Sequence, residues 1–252
     1  MPCEEECIGF IKQRIRSVLN GPKASSDSYI AYLRSLGMVI GDETQIYSPK
    51  KCLIDTTRPW MIEIGKNVQI TEDVTILTHG YDWSVFKGLH GDVLGSAGHV
   101  FIGDNVFIGT QTTILKGVTI GSNVVIGANS LINKDVPDNC VVVGNPQRVV
   151  CDIDTYLEKR RAAQIQEAAD LYDCWRRNSP EGKRGEVPSK EMFREFFWLF
   201  ESREADGFAA EEFENVMSLC GTYDKSVERF NQTSRAFSSF ESFLEKMESM
   251  RS

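Results

Sequence analysis

Histidine is scarce in this chain, with three among 252 residues at positions 79, 90 and 99. A zinc centre needs three or four ligands, and at most His79 and His99 stand where they can approach one another, so a metal centre is not expected. Cysteine occurs seven times but never as a Cys-x-x-Cys pair, and no cysteine joins a metal-ligand grouping. Cys3 and Cys7 lie one helical turn apart. The odd count and the lack of a signal-peptide pattern favour free thiols in a reducing compartment, so a cytoplasmic location is expected. No apolar run approaches the roughly 20 residues that span a bilayer, and membrane insertion is not expected. Positive charge is also in deficit: 28 Lys and Arg face 36 Asp and Glu, for a net charge of -8. That balance argues against nucleic acid as a partner, although an anionic cofactor can still be bound locally.

What the chain does have is a repeat. From Ile102 to Pro137 the sequence runs in six-residue units opened by Ile102, Ile108, Ile114, Ile120, Ile126 and Ile132. Glycine follows the isoleucine in four of the six, at Gly103, Gly109, Gly121 and Gly127. A small or β-branched residue sits four places on: Val106, Thr112, Val118, Val124, Ser130 and Val136. Helices require apolar spacing near 3.6 and half-buried strands a spacing of 2, so neither generates a strict six. A hexapeptide period marks a parallel β-helix, in which each unit gives a strand and a turn and three units close one coil. The isoleucines then stack into an aliphatic column, and the glycines suit corners that a Cβ would crowd.

The same phase continues upstream with interruptions, through Ile40, Ile46, Ile64, Ile70 and Ile76. Residues 48 to 61 fall out of register. A longer excursion spans residues 79–99, with three aromatic residues and five glycines. Insertions in solenoids map to one face, often the binding face, and a long loop in a compact repeat is more often functional than accidental. Three parts follow: a helical segment at residues 1–37, a β-helix at 38–152 and a helical module at 153–252. The first part carries the stripe Cys7, Ile8, Ile11, Ile15, Val18 and Leu19, broken by Asn20-Gly21-Pro22. In the last, Phe193, Phe196, Phe197 and Phe200 form an aromatic face. It needs a partner helix, the solenoid or another subunit to cover it, and the module is expected to act as a cap or an inter-subunit contact.

The hexads, the Thr78-His79-Gly80 sequence before the insertion, and Gly144-Asn145-Pro146 with Arg148 resemble the hexapeptide-repeat acyltransferases. The resemblance covers roughly residues 38 to 150 and points to the sugar and polysaccharide O-acetyltransferase branch. It implies a left-handed parallel β-helix, a homotrimer and acetyl-CoA as donor. The left hand comes from the resemblance alone, since parallel crossovers are generally right-handed. By the same resemblance His79 corresponds to the catalytic base. Thr110, Ala128, Lys134 and Arg148 correspond to donor-binding positions, with Asn133 where that pattern has threonine.

The residues support parts of this independently. Transfer from a thioester to a hydroxyl needs a base, a donor for the oxyanion, and alignment. An imidazole, with an ordinary pKa of about 6.5, suits the base. His79 follows directly on Thr75-Ile76-Leu77-Thr78, so its backbone sits on rigid scaffold. Asp82, three residues on, is one candidate to orient the ring; a backbone carbonyl is the other. His90 reads as exposed or acceptor-lining, and His99 as a surface histidine at a strand edge. Asp55, Arg58 and Trp60 lie in the off-register segment, which reads either as a coil-bridging loop with Trp60 buried in the core or as charged and aromatic groups of the kind that commonly hold sugars. O-acetylation of a saccharide is the leading expectation. N-acetylation of an amino sugar and a non-catalytic β-helix scaffold are the alternatives.

Overall fold

The computed structural model describes residues 21–204, 207–208 and 211–251. The stripe from Cys7 to Leu19 lies outside the described residues. Two compact units divide between Tyr156 and Leu157.

The first unit is a three-sided solenoid. One side is the parallel sheet β1 (Val39–Ile40), β4 (Ile62–Ile64), β7 (Val100–Ile102) and β10 (Thr119–Ile120). A second side is β2 (Gln45–Ile46), β5 (Gln69–Ile70), β8 (Val106–Ile108), β11 (Val124–Ile126) and β13 (Cys140–Val143), with β14 (Arg148–Asp152) added antiparallel at its end. The third is β3 (Leu53–Ile54), β6 (Thr75–Ile76), β9 (Thr113–Ile114) and β12 (Leu131–Ile132). Val124 pairs with Val106 and Leu131 with Thr113, so a regular coil takes three hexads. Val100 pairs with Ile62, a longer step that accommodates the insertion.

The hexad isoleucines form the core. Ile70, Ile76, Ile102, Ile108, Ile114, Ile120, Ile126 and Ile132 are fully buried, and Val68, Val74, Thr112 and Val124 fill the next layer. Each buried Ile contributes about 1.5–3 kcal/mol relative to an exposed one. Ile108→Ala is therefore expected to lower unfolding free energy by about 2–5 kcal/mol, because coils above and below prevent collapse around the cavity. The exposed Thr119→Ala should change it by less than about 0.5 kcal/mol. Urea unfolding of both variants checks this; equal losses would contradict the stacked core.

Crowding, rather than dihedral strain, explains the hexad glycines: a Cβ on Gly109 would lie 2.5 Å from the Ala128 backbone nitrogen one coil on. Along one edge the left-handed corners fall to asparagine instead, at Asn67, Asn105, Asn123 and Asn139. Their amides form a ladder, Asn67 donating to Asn105, Asn105 to Asn123 and Asn123 to Asn139 at 2.8–3.0 Å. One end is closed by α1 (Ser26–Ser35), capped by Ser25 and Ser28 and burying Tyr29, Ile30 and Leu33 in the solenoid core. The insertion contains a helix, α2 (Trp83–His90), which the glycine-rich sequence did not lead us to expect; it buries no residue of its own. Its stem is zipped antiparallel, with Gly80 N–H donating to Ser96 O and Gly98 N–H to Thr78 O.

The second unit opens with a long helix, α3 (Ile153–Asn178), whose first residues precede the division. After it come α4 (Pro180–Lys183), a short hairpin β15 (Arg203–Glu204) and β16 (Gly207–Phe208), α5 (Glu211–Ser218), α6 (Tyr223–Gln232) and α7 (Phe240–Ser249). Its core is its own. Phe193, Phe197, Phe200, Phe213, Phe230 and Phe243 are all at most 3% exposed, joined by Ala168, Ala169 and Tyr172 of α3. Of the three covers considered for the aromatic face, helices of its own module supply one. The face is not a continuous helix: Lys190–Phe193 and Phe197–Leu199 are separate 3-10 turns. Among the described residues, no helix is long and apolar enough to cross a membrane.

Candidate active site

The third sheet delivers Asp55 and His79 to the same edge of the prism, one coil apart. Asp55 follows β3, and its N–H donates to Ile76 O at 3.0 Å. Thr78 and His79 leave β6 at the corresponding point. Asp55 turns its carboxylate inward through an Asx turn, in which Thr57 N–H and Thr57 Oγ1 donate to Oδ1 at 2.9 and 2.6 Å. The other oxygen, Oδ2, accepts from Thr78 N–H at 3.2 Å, from the Thr78 hydroxyl, and lies 2.7 Å from His79 Nδ1. Asp55 is buried, and the His79 side chain is 12% exposed.

Burial alone would raise the Asp55 pKa. The hydrogen bonds from Thr57, Thr78 and His79 outweigh it and hold the carboxyl well below the usual carboxylate range. An ionised carboxylate only accepts, so Nδ1 of His79 must carry the proton of this bond. Neutral His79 therefore presents an unprotonated Nε2, and among the described residues no hydrogen bond occupies that atom. The Tyr81 ring meets the imidazole edge-on, with centroids 4.9 Å apart at 82°. Trp83 lies 6.3 Å from Tyr81.

The carboxylate expected beside His79 was Asp82, and here the geometry differs. Asp82 is exposed, adopts helical dihedrals at the entrance to α2 and is not bonded to the imidazole. Asp55 holds Nδ1 instead, with both oxygens occupied, so it is not free to grip a sugar. Arg58 donates to Thr57 Oγ1 at 3.4 Å, and Trp60 is exposed at 67%. Thr110 and Ala128 occupy one corner of adjacent coils, both exposed, where Asn129 N–H donates to Thr110 O at 2.7 Å. That corner borders the third sheet on its other edge. Lys134 is exposed on the edge shared with Asp55 and His79, two coils beyond His79. Its carbonyl accepts from Gln147 Nε2 at 2.6 Å. Arg148 is exposed at the start of β14. Thus Asp55 and His79 are brought into contact, Lys134 shares their edge, and Arg148 stands on the closing hairpin.

Tyr81 and Trp83 were not singled out in the sequence, and Thr57 and Thr78 stood there only as members of their segments, without their bonds to Asp55. The Asp-x-Thr spacing at 55–57 was the one available signal for Thr57. His90 is exposed at the end of α2, and His99 forms a half-exposed pair with Glu63 at 3.3 Å. Among the described residues, no three His, Cys, Asp or Glu side chains group to hold a metal.

Comparison with known proteins fits this geometry. The bacterial transferase hexapeptide (six repeats) family matches residues 99–134. Protein CapG of Staphylococcus aureus is 39% identical over 127 residues, covering 50% of this chain and 73% of CapG. The putative acetyltransferase YvoF of Bacillus subtilis is 34% identical over 139 residues, covering 55% and 72%. A hexapeptide-repeat-containing acetyltransferase from Vibrio cholerae of known crystal structure is 26% identical, with a TM-score of 0.44 over 60% of this chain and 94% of that one. The two sequence matches span more than two thirds of each relative, and on them the assignment rests. The chain belongs to the hexapeptide-repeat acyltransferase family, and its solenoid is the left-handed parallel β-helix of that family.

Proposed function

We propose that this protein transfers the acetyl group of acetyl-CoA to a hydroxyl of a saccharide or polysaccharide precursor, with His79 as general base. The observation that carries the proposal is the 2.7 Å contact between Asp55 Oδ2 and His79 Nδ1, which fixes the tautomer whose Nε2 accepts a proton. Nε2 takes the acceptor's hydroxyl proton as the oxygen attacks the thioester carbonyl. The tetrahedral intermediate then collapses, the carbon–sulfur bond breaks, and the departing thiolate takes the proton back from the imidazolium. An ester and free coenzyme A result. The exposed rings of Trp60 and Tyr81 give the acceptor apolar faces on the side of the unit that carries His79.

On the donor side, the proposal places coenzyme A along the third sheet, reached by Thr110 and Ala128 from one edge and Lys134 from the other, with Arg148 nearer the closing hairpin. Lys134 and Arg148 supply cations for its phosphates. The family's clefts lie between protomers, so the active species is proposed to be a homotrimer. A monomeric mass for active enzyme in light scattering would contradict that.

Thiol release from acetyl-CoA tests the function. Turnover is expected with neutral and acidic oligosaccharide acceptors, each giving an ester that is cleaved by hydroxylamine. Turnover confined to amino sugars, with a hydroxylamine-stable amide as product, would replace O- by N-acetylation. No thiol release above the solvent rate with any acceptor would leave the solenoid a scaffold.

A further inference from the structure

The second unit holds a cleft of about 580 Å³ that the chemistry at His79 does not use. Its size falls within the range of about 300–1,000 Å³ typical of small-ligand sites. α3 contributes Arg160 and Arg161 to its lining, and the C-terminal part of α6 contributes Arg229. Phe196 and Trp198, both half-buried, are also in the lining. Glu195 is the one carboxylate in the lining.

The cations are not equivalent. Arg160 grips Glu167 through two bonds of 2.6 Å, and Arg161 bonds Glu158 at 2.5 Å. Both guanidinium groups are held in place by carboxylates outside the cleft lining. Arg229 is exposed and meets no carboxylate among the described residues. Behind the cleft Arg235 stacks on Phe230, its guanidinium carbon 3.5 Å from the ring centroid, and donates only to the carbonyls of Glu201 and Phe230. It adds a second cation without a carboxylate partner among the described residues. Glu167 and Glu158 offset Arg160 and Arg161, so Arg229 is the lining cation that meets no carboxylate among the described residues.

We propose that this cleft binds an acidic saccharide residue, and so that the acceptor is an anionic glycan held at a second point by the C-terminal unit. The inference rests on the saccharide reading above and narrows it. A guanidinium fork matches a carboxylate in a planar, two-bond geometry. Aromatic rings take the apolar C–H face of a pyranose. Thr233, Ser234 and Gln164 add polar groups of the kind that bond sugar hydroxyls.

Calorimetric titration of the full-length protein, without acetyl donor, tests this with three probes: oligogalacturonate, maltotriose and inorganic phosphate. Oligogalacturonate is expected to bind at least ~10-fold more tightly than maltotriose, as a charge-assisted bond implies. Arg229→Ala should weaken it by about tenfold, and the conservative Arg229→Lys by less, because Lys keeps the charge and loses the fork. Equal affinity for the acidic and neutral sugars, or an Arg229→Ala variant that binds like the parent, would overturn the proposal. Phosphate binding as tight as oligogalacturonate would reduce the cleft to an anion site and overturn the saccharide assignment. Because no donor is present, failed binding sinks this inference alone. Failed acetyl transfer with intact binding sinks the enzymatic reading instead.

Discussion

Asp55→Asn is expected to lower kcat by roughly 10²–10⁴-fold with little change in KM for the donor. The asparagine side chain keeps the size of the carboxylate and retains oxygen and nitrogen atoms near Thr57, Thr78 and His79. An amide can turn its N–H toward His79 Nδ1, which then accepts, and the neutral imidazole carries its proton on Nε2 instead. That tautomer cannot take a proton from an acceptor. A purely structural role would predict a different pattern: lower folded yield and an unchanged kcat per folded molecule. Asp55 also links stability to pH. Its native pKa is depressed, so the ionised form's contribution is complete above an unfolded carboxylate pKa of about 3.9. That contribution is lost as pH falls through the lower, native value. The stability advantage of the parent over Asp55→Asn should therefore shrink on acidification below about pH 4 and be steady above about pH 6. Urea midpoints across that range measure it, and an advantage that grows on acidification would refute the carboxylate network.

His79→Ala is expected to reduce kcat by at least ~10²-fold, the scale of a positioned general base, while coenzyme A still binds and the solenoid still folds. The side chain packs against the Tyr81 edge and Asp55 rather than in the isoleucine column, so its loss leaves the stacked core intact. The deletion also leaves the buried Asp55 without one of its donors. A double variant, His79→Ala with Asp55→Asn, should lose hardly more than either single one, because the two act as a unit. Near-parental turnover by His79→Ala would move the base elsewhere. His99 is then the next candidate, although it is engaged with Glu63 on the surface.

The fold was legible where one residue type repeats without exception. Ile102 to Ile132 announce six units in phase, and the structure buries every one of them completely. The proposed catalytic pair was only half legible. His79 stood out because it ends a run of hexads, but its partner lies 24 residues earlier in a segment that breaks the period. Contact between them depends on coil register across that break, which no local pattern encodes. Asp82 is close in sequence, yet entering α2 turns it out to solvent. The same limit applies to the aromatic run at Phe193–Phe200. Spacings of three and four read as a helix face, whereas closely packed rings of the unit's own core resolve the run into two short turns.

A crystal structure with bound coenzyme A tests the central claim most directly. A trimer is expected, with each coenzyme between two protomers along the third sheet and its sulfur within roughly 3–4 Å of where an acceptor oxygen can reach His79 Nε2. A thiol placed on another edge of the solenoid, or one remote from His79 in every protomer, would contradict the account.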